Sequence, residues 1–155
     1  MMNQQPEPLP CPDHDGKLIP IVLDQPMPVS YCDIPVQAGI PISCLRDQQE
    51  KEDLRTLLKL NDTSSLISVR GDSMTDMGIH DGDILIVDRS SYAEDGQVII
   101  ALFNGGSTVK EYHRDTDTGA VSLIPHNPIY HPIQVDPKRD YFRIEGIVKK
   151  IIHDL

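Results

Sequence analysis

The sequence predicts a mostly β protein, a compact domain of strongly bent antiparallel sheets with one short helix and an extended N-terminal arm. Three observations carry that reading. From residue 64 onward, short apolar, β-branched runs alternate with turn pairs: Asp81-Gly82, Asp95-Gly96, Asn104-Gly105 and Thr118-Gly119. Nine of the 13 prolines fall in residues 1–41, and proline fixes φ and removes a hydrogen-bond donor, so that stretch forms neither a long helix nor a central strand. Only 39% of residues are apolar, with no Trp and two Phe, which leaves Ile, Leu and Val to fill the core.

Taken in order, residues 1–41 read as an extended, mobile arm, with one apolar patch at Leu18-Ile19-Pro20-Ile21-Val22-Leu23. Residues 42–155 read as the β domain. Asp47-Gln48-Gln49-Glu50 has the form of a capping box, and Leu54, Leu57 and Leu58 recur at helical spacing, so the helix is placed near residues 48–60. The strand runs are 64–70, 83–88, 97–103, 107–113, 120–124 and 141–152, joined by the turn pairs. The last run is apolar and ends the sheet region, and Phe142–Ile152 is expected as an edge that a second copy of the chain covers in a homodimer.

Composition excludes several classes. A formal net charge of −10 disfavours direct duplex binding, which depends on Lys and Arg neutralising phosphates. No apolar run approaches a membrane span, and the first residues lack a basic-plus-apolar signal. Cys11, Cys32 and Cys44 show no metal-ligand spacing, and their odd number argues against a disulfide framework. These features read as a cytoplasmic protein with reduced thiols, no cofactor and no metal. Asp72, Asp76, Asp81 and Asp83 cluster in sequence, but without the spacing of a calcium loop, and Asp-Gly is ordinary turn chemistry.

The chemistry concentrates in two segments. Ser73 stands in Val69-Arg70-Gly71-Asp72-Ser73-Met74, where a strand breaks at glycine and turns into Met74-Thr75-Asp76-Met77, one helical turn. Backbone N–H groups at such a turn, those of Asp72 and Ser73, point past the serine oxygen, as an oxyanion requires. Lys110 lies on the strand run Ser107-Thr108-Val109-Lys110-Glu111-Tyr112. A serine is a poor nucleophile until a base takes its proton, and a desolvated lysine can do so. A lone serine after glycine is most often a turn residue, and a lone lysine most often solvated. His113, three positions beyond Lys110, is expected on the opposite face of the strand. His80 and His126 are read as solvated or structurally bonded rather than as cleft residues.

Gly71-Asp72-Ser73-Met74, then Gly78-Ile79-His80-Asp81-Gly82-Asp83-Ile84-Leu85-Ile86-Val87-Asp88, then Thr108-Val109-Lys110, strongly resembles the LexA/UmuD family of self-cleaving serine peptidases. The resemblance runs from about Val36 to the C-terminus and includes Leu123-Ile124-Pro125-His126-Asn127 and Ile144-Glu145-Gly146-Ile147-Val148. It implies Ser73 as nucleophile, Lys110 as general base, the Asp72 and Ser73 N–H groups as oxyanion hole, and the bond between Ala38 and Gly39 as the one cleaved. Steric logic agrees: Ala38 presents a small side chain, and Gly39 lets the backbone kink into a cleft.

Residues before Ala38 are too few and too proline-rich for a helix-turn-helix, so the closer resemblance is to UmuD-like mutagenesis proteins of the SOS response. That subfamily implies cleavage stimulated by a RecA filament on single-stranded DNA, and a processed homodimer that serves a translesion DNA polymerase. The alternatives are the peptidase part of a LexA-like or phage-type repressor lacking its DNA-binding domain, or an inactive binding module.

Overall fold

The structure is a computed structural model, and it describes residues 25–31 and 50–155. The chain divides into two units, one spanning Ile21–Ser64 and one containing Ser65–Leu155. The predicted cleavage segment at Ala38 and Gly39, the apolar patch at residues 18–23 and all three cysteines lie outside the described residues.

In the first unit, β1 (Pro28–Tyr31) pairs antiparallel with β2 (Glu50–Asp53), Pro28 opposite Asp53 and Tyr31 opposite Glu50. Pro28 opens its strand, a position where a missing N–H is tolerated. A single helical turn, α1 (Leu54–Leu57), follows at once. This corrects the helix expected near residues 48–60: Glu50–Asp53 is extended, and the helix is confined to Leu54–Leu57. The capping residue is Asp53, whose carboxylate accepts from Arg55 N at 2.9 Å and also pairs with the Arg55 guanidinium. The Leu54 N–H donates to Met27 O at 2.9 Å, so pairing with β1 decides the local structure over the helical spacing of the leucines.

The second unit is built on a seven-stranded sheet with spatial order β3-β4-β9-β5-β6-β7-β8. The strands are β3 (Ser64–Ser68), β4 (Ile84–Arg89), β5 (Val98–Phe103), β6 (Gly106–Arg114), β7 (Val121–Ile124), β8 (Ile133–Val135) and β9 (Phe142–Ile152). Every pairing from β4 to β8 is antiparallel. The fold class is thus as the sequence predicts. β8 was not foreseen.

The final strand is also not an edge. β9 lies between β4 and β5, bonded to both. Its backbone is hydrogen-bonded on both sides, and its apolar side chains Phe142, Ile144, Ile147 and Val148 pack against the two cores, so the expected exposed edge at Phe142–Ile152 is corrected. Only the end of the strand leaves large side chains out, Ile151 and Ile152.

Register shifts at Ile86/Val87 in β4 and Ile100/Ala101 in β5 interrupt both of its pairings, and such irregularities bend a sheet. Side-chain alternation then sends neighbours to different cores. Ile100 joins Val69, Met74, Ile79, Leu85 and Val87, whereas Ile99 joins Ala93, Ala101, Tyr112 and Leu123. As the composition predicts, Ile, Leu and Val supply most of the first cluster, whereas Ala93, Ala101 and Tyr112 join Ile99 and Leu123 in the second.

Candidate active site

β3 ends where Val69 is still held, its N–H on Asp83 O at 2.8 Å and its carbonyl on Gly82 N at 3.0 Å. Gly71 then takes φ +95, a left-handed value that side chains resist, and its N–H donates to Asp81 Oδ1 at 2.7 Å. The chain turns through Ser73 into a 3-10 turn over Thr75–Met77, closed by Gly78 at φ +78. Met74, 3% exposed, drives into the core beside Ile79. That anchor leaves the adjacent Ser73 side chain half-buried at the surface of the turn.

A loop between β7 and β8 braces this turn from the far end of the sheet. The His126 N–H donates to Ser73 O at 2.8 Å, and the Asp76 N–H donates to His126 O at 2.8 Å. Asn127 Nδ2 donates to Asp72 O at 2.8 Å, and the Tyr130 hydroxyl donates to Asp72 Oδ1 at 2.5 Å. The Asp72 carboxylate raises the Tyr130 phenol above its usual value, first through that hydrogen bond and then through its charge. Meanwhile the N–H groups of Asp72 and Ser73 have no acceptor among the described residues. Donors left free at a rigidly held turn are available to an incoming oxyanion.

Lys110 comes from β6, opposite Ile99 of β5. It is 8% exposed, and its Nζ stands 2.7 Å from Ser73 Oγ, 3.0 Å from Thr108 Oγ1 and 2.8 Å from Val109 O. All three are neutral oxygens, and no carboxylate pairs with the ammonium among the described residues. Burial therefore dominates, and it lowers the Lys110 pKa from the ordinary lysine value of 10.5. An ammonium would donate to all three oxygens. A neutral amine has two N–H groups and one lone pair. Val109 O and the Thr108 hydroxyl can take the two hydrogens, which turns the lone pair to the Ser73 hydroxyl.

The structure thus brings together Ser73, Lys110 and the Asp72–Ser73 backbone, which the sequence reading singles out. Thr108 was missed as a partner. Its signal was available in the strand alternation, which puts residues 108 and 110 on one face. His113 points elsewhere, its Nδ1 2.8 Å from Asp95 Oδ1. His126 Nε2 lies 2.6 Å from Glu111 Oε2, so its ring is structurally bonded while its backbone supports the turn. The four aspartates do not converge: Asp72 serves Tyr130 and Asp81 serves Gly71.

Comparison with known proteins places the chain in a family. The family model described as Peptidase S24-like matches residues 30–149. The LexA repressor of Dechloromonas aromatica (strain RCB) is 40% identical over 117 residues, 76% of this chain and 57% of that protein. LexA repressor 2 of Pseudomonas putida is 40% identical over 112 residues, 72% of this chain and 54% of that protein. The LexA repressor of Acidithiobacillus ferrooxidans (strain ATCC 53993 / BNL-5-31) is 49% identical over 85 residues, 54% of this chain and 40% of that protein. The chain therefore spans about half the length of the curated relatives it matches.

Proposed function

The chain belongs to the Peptidase S24-like family, and we propose that it is a serine endopeptidase that cuts itself between Ala38 and Gly39. The observation that carries this reading is the 2.7 Å contact between Ser73 Oγ and a buried lysine Nζ that has no anionic partner among the described residues. Neutral Lys110 accepts the Ser73 hydroxyl proton as Oγ attacks the Ala38 carbonyl carbon. The Asp72 and Ser73 N–H groups hold the resulting oxyanion. The C–N bond to Gly39 then breaks, Lys110 passes its proton to the leaving amine, and water hydrolyses the Ser73 ester. Docking of the arm over the dyad would desolvate Lys110 further and lower its pKa again, so substrate binding and activation are coupled.

The wider role follows the same family. The processed chain acts as a homodimer in the SOS response, cleaved with the help of a RecA filament on single-stranded DNA, and supports a translesion DNA polymerase. The net charge of −10 supports this reading over one in which these residues themselves grip duplex DNA. The names of the relatives favour a second reading, the cleavable regulatory part of a LexA-like repressor. Pull-down with a translesion polymerase against gel shift on operator DNA separates the two.

Intact-mass analysis after prolonged incubation tests the activity. The expected products are residues 1–38 and 39–155, with none from Ser73→Ala or Lys110→Ala. Other termini would remove the site assignment, and continued cutting by Ser73→Ala would remove the mechanism.

A further inference from the structure

Asp83 and His153 are seventy positions apart, yet β4–β9 register makes them neighbours. Ile84 of β4 stands opposite Ile152 of β9, so the residues just beyond that pair, Asp83 and His153, meet at the same end of the sheet. His153 Nδ1 lies 2.6 Å from Asp83 Oδ1. His80 arrives from the turn before β4, its N–H donating to Asp83 Oδ2 at 2.7 Å and its ring Nδ1 3.8 Å from that same oxygen. The two imidazoles converge on one carboxylate with ring centroids 5.0 Å apart and planes tilted by 44°. One ligand atom from each of the three residues can be chosen so that all lie within 4.8 Å of one another.

We infer that His80, Asp83 and His153 bind one divalent transition-metal ion of the zinc class. The donor set is two imidazole nitrogens and one carboxylate oxygen, which suits zinc, cobalt or nickel over magnesium or calcium, cations that prefer oxygen cages. The carboxylate is buried, with a side chain 2% exposed, whereas the His80 and His153 side chains are 47% and 46% exposed. The anion is thus fixed by the fold and by a backbone N–H, and the two half-exposed imidazoles, already beside it, have room to adjust to an arriving ion.

Two bonds of about 2 Å at a tetrahedral angle hold their donor atoms roughly 3.3 Å apart. His80 needs little movement to meet that spacing. His153 must withdraw slightly and lose the proton it donates to Asp83, which the ion replaces. Three protein ligands leave a fourth position for water. The site shares no residue with Ser73 or Lys110, and the inference does not rest on the peptidase reading. It clasps the end of β9 to the turn that also holds Val69 and Gly71.

Cobalt(II) titration of the metal-free full-length chain tests it. The expected result is one Co²⁺ per chain with the visible absorption of a tetrahedral site, displaced by one equivalent of Zn²⁺ and not by Mg²⁺. His80→Ala and His153→Ala should each weaken binding at least about tenfold, in line with removal of a ligand or its support. Both rings are half exposed, so the variants should keep the fold, and circular dichroism verifies this. Zn²⁺ should raise the melting temperature of the wild-type chain and leave that of His153→Ala unmoved. Unchanged affinity in either folded variant overturns the site. So does loss of binding on His113→Ala or His126→Ala, since the ion would then sit elsewhere.

Discussion

Lys110 and Asp83 are both buried ionisable side chains, 8% and 3% exposed, and the fold treats them in opposite ways. Asp83 is given donors, a backbone N–H from His80 and a ring N–H from His153, and the first of these does most to hold its carboxyl below the usual carboxylate range. Lys110 is given only neutral oxygens among the described residues, and burial lowers its pKa. One charge is kept and the other is discouraged. The difference teaches where reactivity lies: a buried ion with its complement present is held in place, and a buried base without one is poised to trade its proton with the nearest hydroxyl.

The largest effect expected from this contrast is kinetic. If neutral Lys110 is the base, spontaneous cleavage should rise about tenfold per pH unit and level off above its folded pKa. Measured from pH 6 to 11, a flat profile would break the comparison at its reactive end. A RecA filament should shift the plateau to lower pH, and an equal gain at every pH would mean that it does not act through desolvation.

Next come stabilities of opposite sign. Asp83→Ala should lower the melting temperature at neutral pH, because the His80 N–H and the His153 ring lose a buried partner. Lys110→Met should raise it. A lysine whose folded pKa is depressed destabilises the folded chain most where both states are protonated. As pH rises past the folded pKa, the folded chain has lost its proton and the unfolded chain still holds one, so stability climbs until about pH 10.5. The advantage of Lys110→Met should therefore fade toward that pH. An advantage independent of pH would mean that Met simply packs better.

The smallest effect sharpens the arrangement around Nζ. Thr108→Val keeps the shape and removes one acceptor from the amine. The loss of one hydrogen bond, about 0.5–1.5 kcal/mol, should slow cleavage about two- to tenfold while the chain still melts as the wild type does. An unchanged rate would leave Val109 O alone in orienting the base.

Six of the strands were legible because each is a run rich in apolar, β-branched residues, most of them set off by Asp-Gly, Asn-Gly or Thr-Gly turns. β8 was not: Ile133-Gln134-Val135 is three residues long and set among Pro128, Pro132 and Pro137, too short to show a period. Glu50-Lys51-Glu52-Asp53 carries only charged residues, and nothing local marks it as a strand. It is extended because Pro28–Tyr31 lies beside it. The meeting of Ser73 and Lys110 was legible because strand-Gly-turn and strand-lysine are local patterns joined by a family resemblance. Asp83 with His153 was not, since only the β4–β9 register brings them together. The position of β9 inside the sheet was misread for a related reason: an apolar run at the end of a sequence looks the same whether it lies at an edge or between two strands.

That central strand has a bearing on when the protein can act. Ser73 belongs to the β3–β4 side of the sheet and Lys110 to the β5–β6 side, and β9 lies between them. On the ribosome both residues emerge before Phe142–Ile152 does. Until then the two halves of the sheet have no strand between them, and Ser73 and Lys110 are related only through the β7–β8 loop and the packing around Met74. A strand late in the sequence therefore joins two halves whose residues come earlier, and the 2.7 Å approach of Ser73 to Lys110 rests on a sheet that closes only when Phe142–Ile152 is in place.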